Sequence, residues 1–139
     1  MKFPHTITLF NRFEDDGRAN YRATIIKGCL HRLNYAYPKS ELGLQNGNEA
    51  HLWVPLTADT GGKEYISPDK YSRLTEQERA LHYTFSPDSD FYALGELELT
   101  ERDITTADIK ELTGVYKIKT AELLDFGSKA MRHWEVTAT

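Results

Sequence analysis

Cysteine is nearly absent from this chain: Cys29 stands alone among 139 residues. A single thiol excludes an intramolecular disulfide and any metal site built wholly from cysteine. Cys29 sits in the apolar run Ile25-Ile26-Lys27-Gly28-Cys29-Leu30 and reads as a buried structural thiol. A nucleophile would need an electropositive, partly exposed setting. Long hydrophobic runs are lacking too, so no membrane span is expected, and the first residues show no charged, apolar, small-residue succession of a secretory leader. A soluble protein made in a cytoplasm, with no membrane partner, is the expectation. Basic residues are not in excess. Seventeen Lys and Arg against 21 Asp and Glu give a net charge of -4, the wrong sign for a chain that holds nucleic acid by neutralising phosphates.

The chemistry-bearing motifs are missing as well. There is no His-Glu-x-x-His helix, no Gly-x-Ser-x-Gly elbow, no phosphate-binding loop and no dinucleotide fingerprint. The five histidines (His5, His31, His51, His82, His133) are scattered, with no pair spaced to place two ligands on one helix face. Asp15-Asp16 and the pair Asp88 and Asp90 fall in turn signals, where Asp stabilises local backbone geometry. Lys117, Lys129 and Arg132 are interleaved with Glu122, Asp125 and Glu135, which makes a mixed surface rather than a basic groove. No catalytic residue, metal site or cofactor is expected, and a binding or assembly role is favoured over an enzyme.

What is present is β-forming sequence. Hydrophobic residues make up 40% and charged residues 27%, which places the chain among ordinary globular domains, and its length suits one domain over 1–139. Thr6–Phe10 reads as a first strand, Glu14-Asp15-Asp16-Gly17 as a turn, and Tyr21–Leu30 as the returning strand of a hairpin, continuing past a bulge at Gly28. Tyr21, Ala23 and Ile25 fall on one face of it, and Arg22, Thr24 and Ile26 on the other. Pro38–Asn48 and Thr57–Lys63 read as loops, the first with an Asn-Gly turn at Asn46, and the strand between them surrounds Trp53.

Ser67-Pro68 and the capping-box spacing of Thr75 and Glu78 predict a short helix between Pro68 and Leu81. Tyr83–Ser86 and Phe91–Leu99 read as strands about a turn at Ser86-Pro87-Asp88. Thr105–Asp108 opens a second helix, with Ile109 and Leu112 on its apolar side and Gly114 at its end. Gly114–Val136 closes the chain as two strands around Asp125-Phe126-Gly127-Ser128. Trp53, Trp134, Met131 and Ile118 are the candidate core scaffold. The fold expected is mostly β: a small barrel or sandwich of six to eight antiparallel strands with one or two short helices.

Three segments carry a likeness. Ile7-Thr8-Leu9-Phe10-Asn11-Arg12-Phe13, followed by Tyr21–Arg32, resembles the opening of a family of small minor capsid proteins encoded beside the portal gene in tailed bacteriophages. That family begins with a "TLYNR"-like strand and continues to a "VLKGV"-like one. Val115–Val136 resembles the family's closing hairpin, with Phe126-Gly127-Ser128 and Met131, His133 and Trp134 at the matching places. Tyr83–Glu98 is similar to a third segment, although Ser86–Glu98 departs from its usual Gly-Asp and Lys-Gly pairs.

The resemblance implies a head–tail connector of the virion neck. Such a subunit forms a homo-oligomeric ring between a portal or adaptor protein and the tail, and packaged DNA passes it without specific binding. A tail-completion or tail-terminator protein of the same junction, and a β-barrel that binds single-stranded nucleic acid, remain alternatives. For a ring subunit, loops reaching neighbours or the channel are the natural contact elements. This makes Lys39, Glu41, Gln45, Asn46 and Asn48 of one loop, and Thr57, Asp59 and Lys63 of the other, the candidate contact residues. One of the two loops is expected to line the channel. Tyr35, Tyr37, Tyr65 and Tyr71 are candidate interface aromatics.

Overall fold

The computed structural model describes residues 3–35, 48–97, 104–112 and 114–139. Strands β1 (His5–Asp15) and β2 (Arg18–Tyr35) form a hairpin around Asp16-Gly17. Both turn residues have positive φ, 51° and 74°, the backbone that a two-residue hairpin turn with right-handed twist demands. The bulge expected at Gly28 is present. The register jumps from Thr6↔Lys27 to His5↔Cys29, leaving Gly28 unpaired at φ 91°, where a side chain would be strained.

Beyond that bend β2 leaves β1 and pairs with β3 (Asn48–Pro55), from Leu30↔Trp53 to Tyr35↔Asn48. β3 pairs with β9 (His133–Ala138), β9 with β8 (Val115–Leu124), β8 with β6 (Phe91–Leu94), and β6 with β1. These pairings return to their start, so six antiparallel strands close into a barrel. The remaining strands are short: β7 (Ile104–Thr105) extends the sheet beside β2, and β4 (Glu64–Tyr65) runs parallel to β5 (His82–Tyr83).

The barrel interior is filled by Ile7, Leu9, Ile26, Leu52, Val54, Tyr92, Ile118, Trp134 and Val136. Phe85 and Tyr65 pack their rings on Trp134 at centroid distances of 5.4 and 4.4 Å. A second core lies on the outer face of β1, β2 and β6. Phe10, Tyr21, Ala23 and Ala93 are covered there by Ile104 and by Ile109 of α3 (Thr106–Glu111). β1 is therefore buried on both faces from Ile7 to Asn11, and the two polar residues in that run, Thr8 and Asn11, are hydrogen-bonded to the Gly95 and Thr84 carbonyls.

The helix expected between Pro68 and Leu81 is instead two single turns, α1 (Pro68–Tyr71) and α2 (Glu76–Arg79). Thr75 and Glu78 form the capping box, but the chain between is too short to build a longer helix before Arg79 must dock. Its guanidinium lies 4.0 Å from the Phe13 ring centroid and donates to the Leu74 carbonyl at 2.8 Å. Thr105 and Asp108 form a second capping box on α3. β6 stops at Leu94, short of Leu99, because Gly95 turns away at φ 91°. β5 likewise ends at Tyr83 rather than Ser86.

Two scaffold residues are placed otherwise than expected. Met131 lies in a 3₁₀ turn before β9 and is 63% exposed, because β9 begins two residues later. Trp53 occupies an outward position of β3 and is half-buried, its Nε1 donating to Glu135 at 3.1 Å. Trp134 and Ile118 are core residues as expected.

Candidate functional site

Among the described residues Asp90 is a densely bonded polar group, and it is fully buried. Its carboxylate accepts from Asn11 Nδ2, the Arg12 backbone N–H and the Ser86 backbone N–H, each at 2.8 Å. Asn11 Nδ2 also donates to the Thr84 carbonyl at 2.6 Å. The backbone carbonyl of Asp90 accepts from Ile118 N–H at 3.0 Å. Asp90 thus extends the β1–β6 ladder by one rung and ties both strands to β8. Burial pushes its carboxyl up to about 7, against the pull of the three N–H donors. It faces backbone rather than solvent, so it is a structural carboxylate.

Cys29 is buried and its thiol is pushed up to about 12 by burial, which leaves it inert as a nucleophile. Among the described residues no group of three His, Cys, Asp or Glu could hold a metal ion, and no helix is long and apolar enough to cross a membrane.

The loop from Thr57 to Lys63 is tied down. Lys27 and Asp59 exchange two backbone hydrogen bonds, at 2.8 and 3.0 Å. Lys63 turns back onto β2, its Nζ donating to the Ala23 carbonyl at 3.1 Å and to Thr24 Oγ1 at 2.8 Å. Burial, and then the neighbouring Arg22, lower its pKa to about 8. Thr57 and Asp59 are exposed as a contact loop requires, whereas Lys63 is spent on the barrel. Lys39, Glu41, Gln45, Asn46 and Tyr37 lie outside the described residues. Asn48 opens β3 instead of belonging to a loop, because its backbone pairs with Tyr35.

Two interface tyrosines prove to be packing residues. Tyr71 is 2% exposed, since the α1 turn rolls it inward. Tyr65 stacks among Tyr83, Phe85 and Trp134. Short polar segments hid both, because nothing periodic marks which way a single helical turn faces.

Exposed apolar surface collects at one end of the barrel. Leu56 is 47% exposed, Leu123 41%, Phe126 69% and Met131 63%. The register brings them together: Pro55 opposes His133, Leu56 N–H donates to the Arg132 carbonyl at 3.1 Å, and Leu123 opposes Trp134. Gly127 has φ 84°, and Met131 lies close over it, its Sδ 3.3 Å from where a Cβ would be. The turn is braced by an Arg132–Asp125 ion pair at 3.2 Å. Beside it a cavity of about 680 Å³ opens between Phe3, Gly28, Pro55, Ala58, Lys129 and Ala130.

Large apolar side chains exposed together on a small protein often mark a functional surface. Its sequence signal is Phe126 in a Gly-containing turn, where a large apolar side chain has no strand to bury it.

The family model that matches the chain is described as "Family of unknown function (DUF6751)" and covers residues 3–139. The chain belongs to this family. No curated protein and no solved structure matches it. The family's match takes in the barrel strands and the apolar end.

Proposed function

We propose that this protein is a structural assembly subunit of a tailed-phage virion. In this reading it forms a homo-oligomeric ring at the head–tail junction, between a portal or adaptor protein and the tail. The observation that carries the reading is the apolar end formed by Leu56, Leu123, Phe126 and Met131. Barrel closure supports it. Each of the six barrel strands is hydrogen-bonded on both sides, so a partner has no barrel edge to extend and must engage side chains. A ring requires a patch that meets a different surface on the next copy, and an apolar end on one side of a rigid barrel suits that geometry. The likeness of the first hairpin and of the closing hairpin to neck proteins supplies the setting.

The test is the double variant Phe126→Asp, Met131→Asp. Both side chains are exposed, so the far-ultraviolet circular dichroism and the unfolding midpoint should stay near wild type. Native mass spectrometry should show loss of the ring, and particles assembled with the variant should lack tails. A folded double variant that still forms rings and tailed particles would overturn the proposal.

A further inference from the structure

We propose that the start of β1 is an acid-released latch: the neutral His5 imidazole holds the bend of β2 in place and lets go when it gains a second proton. The contact is a hydrogen bond from the His31 backbone N–H to His5 Nδ1, 2.9 Å long. It sits where β2 parts from β1. His5↔Cys29 is the last rung of that ladder, past the Gly28 bulge, so no strand on that side reaches His31. The imidazole supplies the acceptor that the missing strand would have given.

Accepting at Nδ1 requires its lone pair, which fixes the ring proton on Nε2. Once Nδ1 is protonated a donor faces a donor, and the bond becomes a repulsion. Imidazoles make this change between pH 5 and 8, a range in which no other unperturbed side chain changes charge.

The surroundings offer the new charge no relief. The His31 ring lies edge-on to His5 at 6.5 Å and packs against Tyr92 of β6 at 5.7 Å and Tyr116 of β8 at 5.1 Å. On β2 the buried Cys29 opposes His5, and the charged Lys27 at the next rung lies 3.9 Å from Glu96. Among the described residues neither imidazole has an ion pair with a carboxylate. His31 Nε2 and Tyr92 Oη are buried without a hydrogen-bond partner among the described residues. Burial, and then a charge on His5, push the pKa of His31 down, which disfavours protonation there.

The contrast within the molecule is sharp. His51 faces the Glu49 carboxylate at 3.6 Å and His133 faces Glu135 at 3.2 Å, whereas His5 faces a backbone N–H. Release would free the entry of β1 and uncover the Tyr92 and Tyr116 rings behind it.

The test is amide hydrogen exchange of His31 between pH 7.5 and 5, measured by NMR as a protection factor so that the intrinsic rate cancels. In the wild type, protection at His31 should fall at least tenfold while the amides of β9 stay constant. His5→Asn offers a carbonyl oxygen whose acceptor strength does not titrate, and should hold protection level across the range. His5→Phe should be poorly protected throughout. Constant protection in the wild type, or a pH-dependent fall that persists in either variant, would overturn the latch.

Discussion

Replacing Asp90 by Ala tests whether one buried carboxylate joins β1, β6 and β8. At pH 8 the carboxylate is ionised, and the substitution removes the acceptor of three N–H donors at 2.8 Å. Asn11 keeps its bond to the Thr84 carbonyl, so it loses one partner of two. The backbone N–H groups of Arg12 and Ser86 each lose the carboxylate oxygen they donate to. A stranded buried donor costs about 1–3 kcal/mol, and relief from burying the charge returns part of the sum. The expected net loss is about 4 kcal/mol, or a drop of roughly 2 M in urea midpoint at a slope near 2 kcal/mol/M. Urea titration followed by tryptophan fluorescence reads this directly, since Trp134 lies in the core. Asp90→Asn retains one oxygen acceptor and should lose about half as much. A loss below about 1 kcal/mol for Asp90→Ala, or a larger loss for Asn than for Ala, would refute this account of the network.

Further outcomes follow from the same coordinates. Trp134→Ala should cost about 3–5 kcal/mol by leaving a cavity between Tyr65 and Phe85, whereas Met131→Ala should stay within about 0.5 kcal/mol; equal losses in thermal unfolding would contradict the two placements. Gly28→Ala should cost about 1–2 kcal/mol in backbone strain alone, because no atom lies within 4 Å of the added Cβ; a neutral result would mean the bend does not need the left-handed backbone. The folded chain holds a proton on Asp90 more tightly than the unfolded chain, raised from 3.8 to about 7. That contribution is complete below about pH 4 and is lost as pH rises through 7, so Asp90→Asn should flatten this part of the stability profile. His31 acts with the opposite sign. Below pH 6.5 the unfolded chain takes up a proton that the folded chain resists, so His31→Phe should lessen the loss of stability on acidification.

Local rules made much of the fold legible. Asp16-Gly17 announced the first turn, Gly28 the bulge, the Thr75/Glu78 spacing a capping box and Thr105–Asp108 the start of α3, because each depends only on neighbours in sequence. What could not be read were choices made by distant parts of the chain. Trp53 and Trp134 look alike in sequence, yet the register puts one outside against Glu135 and the other inside against Tyr65. Lys63 looks like a loop cation until its Nζ meets Thr24 on a strand 39 residues earlier. Asp90 looks like a turn residue, and the partners that make it more are 78 and 79 residues away. The apolar end was hidden for the same reason. Leu56 and Phe126 share a surface only once β3 and β9 are paired.

The position of β9 also bears on how the chain reaches this state. β9 is the last barrel strand in sequence, and it sits between β3 and β8. Until residues 133–138 are in place, β3 has no second neighbour and the barrel stays an open sheet with an unpaired flank. During synthesis the first hairpin can form early, but ring closure must wait while some eighty residues separate β3 from its partner. Closure across that distance is entropically slow, and the waiting flank is a template for other chains. Crowded, simultaneous production of many copies would therefore favour misassembly at β3, and slower translation or a chaperone that covers this strand should raise the yield of closed barrels.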